Sequence, residues 1–258
     1  MVNQSSIWMT SDWHFGHGRE FIWKARGFQS IEEMNNTIVT NHNSVVAPED
    51  DVYVLGDLML GDSEKGIEWV KKLNGKLHII RGNHDTDRRW KMYQNLLPNV
   101  VECQNAIYLK YNGYHFYLSH YPSLTGNLEK EALKQMTLNL YGHTHQMSNF
   151  YEDRPYMYHV GVDSHACYPC RLDDIIGEMK DKMRECQLFL EEEELEEEEL
   201  GIPRPYEAYQ TREEYRLGKC DKCIHFRIDC GGPSLVAPQT CPPAYNYKRD
   251  PPDGGYYG

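Results

Sequence analysis

Five short groups of aspartate, histidine and asparagine follow one another over the first 145 residues: Asp12-Trp13-His14, Gly56-Asp57, Gly82-Asn83-His84-Asp85, Ser119-His120 and Gly142-His143-Thr144-His145. Together they supply nine oxygen and nitrogen side chains, eight of them besides Asp85, of the kind that hold two divalent cations side by side. Two such cations repel, so a carboxylate must bridge them while neutral or anionic donors fill the outer positions and leave room for water. Aspartate, histidine and asparagine meet that need. Thiolates would favour zinc or iron–sulfur chemistry, and no cysteine lies in any of the five groups. The chemistry such a pair performs is hydrolysis by an activated water.

Positioning these side chains falls to short β-forming runs, Ile7–Thr10, Val52–Leu55, Leu77–Ile80, Phe116–Leu118 and Leu138–Tyr141, each stopping just before a motif. The polar groups are therefore expected at strand ends, where α/β sheets bind ligands. Glycine at 56, 82 and 142 is expected to let the chain turn as it leaves the strand.

In that order the motifs, DxH, GD, GNH with a following acid, a lone His and GHxH, resemble the calcineurin-like metallophosphoesterase superfamily over about residues 5–180. More narrowly, TSDWHFGHGREFIW, IEEMNNTIVTNHNSVV, VYVLGDLMLGD and LNGKLHIIRGNHD look like a small phage and bacterial branch. The resemblance implies a sandwich of two packed mixed β-sheets flanked by helices. It implies that Asp12, His14 and His145 hold a first metal, that Asp57 bridges, and that Asn83, His120 and His143 complete the second site. It further implies a hydroxide between the metals that attacks phosphorus, with His84 as general acid and Asp85 orienting its imidazole. Manganese, iron, nickel and zinc all suit mixed nitrogen and oxygen donors, and manganese is favoured here. His17 and Arg19, in HFGHGRE, are expected to touch substrate phosphate. Arg81 is either a further phosphate contact or a structural ion pair, and Asp163 reads as architectural support.

A scaffold that keeps this fold for binding alone would show gaps in the motifs, and none of the eight positions is missing. Related protein phosphatases extend the second motif into an aspartate–arginine pair, whereas here it continues Leu58-Met59-Leu60-Gly61. Phosphodiester hydrolysis on a nucleotide, cyclic nucleotide or short nucleic acid is thus favoured over a phosphomonoesterase or protein phosphatase, with the scaffold as the other alternative. Net charge is −12, but Glu191–Leu200 carries −8 and residues 201–258 carry +1, leaving residues 1–190 near −5. No basic patch suits a long duplex, so a small phosphate ester or a short single strand fits better.

Ser30-Ile31-Glu32-Glu33 is a capping-box pattern opening an amphipathic helix that carries Ile31, Met34, Ile38 and Val45. A second helix is expected from Ser63, carrying Ile67, Val70 and Leu73 and ending at Asn74-Gly75. Asn112-Gly113 marks a hairpin between Ile107 and Leu118. Residues 15–28, 86–99 and 121–137 are expected to be rim loops, and Leu172–Leu190 a closing helix.

The catalytic domain is expected at 1–185 and an acidic linker or helix extension at 186–212. That linker reads as a solvated spacer, with a partner-binding arm as the alternative. A Cys-rich module follows at 213–245 and a disordered tail at 246–258. In the module Cys220, Cys223, Cys230 and Cys241 suit a structural zinc, because so short a segment buries little core. Free thiols and an iron–sulfur cluster are the alternatives, and His225 could replace a cysteine. A protein partner through the acidic or Cys-rich part is compatible with both. The Cys167/Cys170 pair reads as incidental. With no signal peptide and no apolar run of membrane-spanning length, the expected compartment is a bacterial cytoplasm, or the host's if the chain is phage-encoded.

Overall fold

The computed structural model describes residues 5–199 apart from 129 and 131. The chain divides into two compact units, Met1–Cys186 and Gln187–Gly258, and the description concerns the first. The cysteines 220, 223, 230 and 241 and the tail lie outside the described residues.

Among the described residues, nine strands form two sheets. The first has the order β4 (Val100–Gln104), β3 (Lys76–Ile80), β2 (Asp51–Val54), β1 (Ile7–Thr10), β9 (Cys170–Arg171), parallel except where β9 runs against β1. The second has the order β5 (Ile107–Tyr111), β6 (Tyr114–Leu118), β7 (Thr137–Tyr141), β8 (Met157–His159), antiparallel across β5–β6 and parallel beyond. The β5–β6 turn is the expected Asn112-Gly113 hairpin, both residues at positive φ as a tight primed turn requires.

Strand alternation divides the interior in two. Val52, Val54, Leu77 and Ile79 face one way and pack with Met34, Ile38, Ile67, Val70 and Tyr93 from the helices α2 (Ile31–Val45), α3 (Ser63–Val70) and α4 (Asp87–Leu96). Tyr53, Leu55 and Ile80 face the other way and meet Phe116, Leu118, Leu138 and Leu140 of the second sheet. Leu172, Ile175, Ile176 and Met179 of α5 (Leu172–Glu199) join that inter-sheet core. A four-residue helix, α1 (Glu20–Trp23), lies in the segment after β1.

Three elements differ from expectation. At α2, Ser30 caps as foreseen, but the Glu33 carboxylate accepts from the N–H of Gln29 (2.7 Å) instead of closing the box on Ser30. At α3 the cap is Asp62, which accepts from Glu64 and Lys65, and the helix stops at Val70 because Lys71–Leu73 leave it as tight turns. The 86–99 segment, expected as loop, holds α4 capped by Thr86; only Arg89 and Tyr93 of its ten residues are buried, too few for a legible apolar stripe. No helix among the described residues is long and apolar enough to cross a membrane.

Candidate functional site

All five motifs leave their strands at the same end of the two sheets. Asp12 and His14 follow β1, Asp57 follows β2, Asn83 and His84 follow β3, His120 follows β6, and His143 and His145 follow β7. The first two loops are tied together by backbone bonds from the Asp12 N–H to the Gly56 carbonyl and from His14 to Asp57, each 3.1 Å. Five of these side chains, on Asp12, His14, Asp57, His143 and His145, hang from residues at positive φ. Non-glycine residues rarely adopt that region, and such strain persists where the surroundings over-determine it, as at a functional site.

The glycines beside the donors act differently from expectation. Only Gly56 has a positive φ (96°). Gly82 and Gly142 are needed for space: a Cβ would lie 2.2 Å from Asp57 Oδ1 and 2.5 Å from Asp12 Oδ2 respectively.

The donors converge in two sets whose ligand atoms lie within 4.8 Å of one another: Asp12, His14 and His145, and Asp12, Asp57 and His120. Asn83 Oδ1 sits 2.8 Å from His120 Nε2 and 2.9 Å from His143 Nδ1, which brings both residues to the second set. Asp57 Oδ2 lies between the two, 3.7 Å from His14 Nε2 and 3.7 Å from His120 Nε2. Donors about 2.0–2.2 Å from one ion must stand about 3–4 Å apart, so these spacings suit small divalent cations. A second observation agrees. Asp12 is fully buried, its Oδ2 accepts from Ser11 Oγ (2.5 Å) and the His143 N–H (2.9 Å), yet its Oδ1 has no hydrogen-bond partner. A buried carboxylate oxygen without a donor is costly unless a cation meets it.

The imidazoles are set by what their far nitrogens do. His120 Nδ1 donates to the Leu55 carbonyl (2.8 Å) and His145 Nδ1 to Asp163 (2.8 Å), so in both the Nε2 lone pair faces the cluster. Burial pulls the His145 pKa down, but Asp163 and the Asp12 charge outweigh it and leave it above the usual histidine value. His14 goes the other way: burial, reinforced by the charge of Arg26, holds it well below that value, a neutral ring ready to coordinate. Burial pushes Asp57 up to about 6, opposed by His120 and the His84 N–H and aided by the charges of Asp12 and Asp85. Crowded carboxylates of this kind are what a bound cation relieves.

Outside the donor sets stands His84. Its Nε2 is 3.9 Å from Asp57 Oδ2, and its side chain is 41% exposed, so it reaches both the cluster and solvent. Its backbone is clamped, with the N–H donating to Asp57 Oδ1 (2.8 Å) and the carbonyl accepting from Arg89 (2.6 Å). The expectation that Asp85 orients the His84 imidazole is corrected. The Asp85 carboxylate is buried and accepts from the N–H groups of Asp57 (2.9 Å) and Gly82 (2.8 Å) and from the Tyr93 hydroxyl (2.6 Å). It locks the second and third motifs together from behind. Arg81 turns out to be structural: it donates to the Asp85 carbonyl, pairs with Asp87 and lies 5.6 Å from the Trp90 ring centroid.

His17 is buried with its ring 5.9 Å from that of His14, and its Nδ1 accepts from the Arg19 N–H (3.1 Å). Arg19 itself is exposed at the start of α1. Asp163 supports as expected, and the residue that sequence reading missed is its partner. The side chain of Arg26 is 4% exposed, donates through Nε (2.8 Å) and Nη2 (2.9 Å) to Asp163, and reaches the carbonyls of Asp12 (2.8 Å) and Trp13 (3.3 Å). No motif surrounds Arg26, and its role depends on contacts 137 residues apart. Cys167 and Cys170 are buried free thiols with no part in the cluster.

Residues 6–162 match the model of the calcineurin-like phosphoesterase superfamily domain. An uncharacterised protein of Methanocaldococcus jannaschii is 34% identical over 161 residues, covering 60% of this chain and 77% of its own. The Gene 66 protein of Mycobacterium phage L5 is 26% identical over 186 residues, covering 62% and 87%. Among solved structures, a protein of unknown function from Aquifex aeolicus superposes with a TM-score of 0.51 at 23% identity, over 67% of this chain and 99% of that one, a likeness of fold.

Proposed function

The chain belongs to the calcineurin-like phosphoesterase superfamily, hydrolases of phosphoric esters, and from that premise we propose that it is a dinuclear metal-dependent phosphodiesterase acting on a nucleotide, cyclic nucleotide or short nucleic acid. The observation that carries this reading is Asp57 Oδ2 lying 3.7 Å from an imidazole of each donor set, with His84 beside it and outside both. Asp12, His14 and His145 would hold one cation and Asn83, His120 and His143 the other, with Asp57 shared between them. When bound, two divalent cations supply Lewis acidity and a nucleophile at neutral pH. Manganese is the favoured ion, with iron, nickel and zinc as alternatives for the same nitrogen and oxygen donors.

The chain's own residues then divide the remaining work. His84 protonates the leaving oxygen: its imidazole faces the cluster and solvent while its backbone is fixed on both sides, so the proton is delivered from one place. His17, packed edge-on to His14, lies where a phosphate oxygen would approach, and Arg19 is the exposed charge two residues beyond. Asp85 and Arg89 hold the loop. The protein-phosphatase alternative is disfavoured by sequence, because the second motif continues Leu58-Met59-Leu60-Gly61 and lacks the aspartate–arginine pair.

The test is a manganese-supplemented panel of a phosphomonoester, a simple phosphodiester, cyclic nucleotides and short single-stranded DNA, with Asp57→Asn and His84→Ala beside the wild type. Diester turnover lost in Asp57→Asn is the expected result. Turnover confined to the monoester overturns the diesterase assignment, and absence of both turnover and bound metal favours a scaffold.

A further inference from the structure

Beside the second donor set opens a cleft of about 340 Å³ that the reaction above does not use. It shares His120 and Gly82 with the metal end, and Arg81, Asn105, Tyr117 and Tyr121 line the rest. Tyr121 is half-exposed and packs edge-to-face on His120 (5.1 Å between centroids) and His143 (4.6 Å), so a group stacked on it would lie next to the reacting phosphate. The hydroxyls of Tyr117 and Tyr121 and the amide of Asn105 make no hydrogen bond to any other described residue. The cleft therefore offers a ring face, one group that both donates and accepts, and two hydroxyls.

These walls are pre-set. The Tyr121 carbonyl accepts from Ser119 Oγ (2.8 Å) and Ser123 Oγ (3.0 Å). Fully buried Asn139 donates to Ser119 Oγ (2.9 Å) and accepts from the Ser123 N–H (2.8 Å). Across the cleft, the Arg81 N–H donates to the Gln104 carbonyl (3.0 Å), fixing the turn that presents Asn105. Little ordering entropy remains to be lost on binding.

We propose that this cleft is a nucleobase subsite: the base of a nucleotide ester stacks on Tyr121 and sets its polar edge against the Asn105 amide while its phosphate lies at the metal cluster. The inference rests on the phosphodiesterase reading for the phosphate and sharpens it by naming the group the phosphate carries. Every base has a π-face to stack, and an asparagine amide matches a base edge with one donor and one acceptor. A plain phenyl ring would use the tyrosine and leave the amide unpaired.

The test measures equilibrium binding of adenosine monophosphate, ribose 5-phosphate and phenyl phosphate to the manganese-loaded full chain by calorimetry. Adenosine monophosphate is expected to bind at least about tenfold more tightly than ribose 5-phosphate, from one stacked base. That ratio should fall several-fold in Asn105→Ala, on an exposed turn, and in Tyr121→Leu, and be kept in Tyr121→Phe. No preference in the wild type, a preference untouched by these variants, or phenyl phosphate binding as tightly as the nucleotide overturns the subsite. Turnover of bis(4-nitrophenyl) phosphate is read in parallel. Base preference without turnover removes the phosphodiesterase and leaves the subsite; turnover without base preference does the reverse.

Discussion

The two sides of the donor cluster are built on different principles. On the first side His145 is held by Asp163, itself paired with Arg26, which also grips the carbonyls of Asp12 and Trp13. On the second side His120 is held by a backbone carbonyl, and Asn83 supplies a neutral amide oxygen. A charged pair stands behind the imidazole on one side, and a neutral carbonyl stands behind it on the other. A carboxylate behind an imidazole raises its basicity and fixes its ring, whereas a carbonyl fixes the ring alone. On the proposed function, the first side would be the tighter cation site, and the second, next to the open cleft, the side that takes substrate.

The sharpest break in this comparison is Asp57→Asn, because Asp57 serves both sides. Activity should drop at least about 1000-fold, consistent with a loss of several kcal/mol of metal-derived stabilisation. Bound metal, read by elemental analysis, should fall on both sides together; unchanged metal content and turnover would remove Asp57 from the bridge. His84→Ala should leave metal content at the wild-type level and lower kcat by about 100- to 10,000-fold, the range of general acid catalysis. Equal loss of metal would instead make His84 a ligand.

Asp163→Asn acts on one side only. It keeps an acceptor for His145 while removing the charge opposite Arg26, and cation affinity should weaken by about 10- to 100-fold for one ion of the two. Two ions weakened equally in a titration would show that the sides are not separately braced.

The smallest effect lies away from the cluster and serves as a control on fold stability. Burial holds the His42 pKa down to about 4, opposed by its hydrogen bond to the Asn74 carbonyl. Below the unfolded value near 6.5 the unfolded chain binds a proton that folded His42 refuses, so stability is full above about pH 6.5 and declines as pH falls toward 4. Between pH 7 and 5.5 this one residue should cost about 1 kcal/mol. Denaturant melts at the two pH values should show it, and His42→Gln should remove that part of the slope.

Much of the site was legible because strand and motif are local. A β-forming run followed by Asp, Asn or His places that side chain just past a strand's end whatever the rest of the chain does, and all five runs did so within a residue or two of their expected bounds. Short-range capping at Ser30 and the turn at Asn112-Gly113 were legible for the same reason. Asp85 was misread because adjacency to His84 suggested a pairing that the backbone forbids: its carboxylate turns inward to three donors, one of them on α4. β9, only two residues long, exists because β1 offers it an edge.

The sequence by itself therefore determined which donor types are present, in what order, and at the ends of which strands, since alternation, turns and caps are decided within a few residues. Tertiary structure alone decided which way the Asp85 carboxylate turns, which arginine braces one donor set, and that a cleft opens beside His120. Those outcomes depend on contacts between residues such as Arg26 and Asp163, 137 positions apart, and on the burial that sets each group's charge.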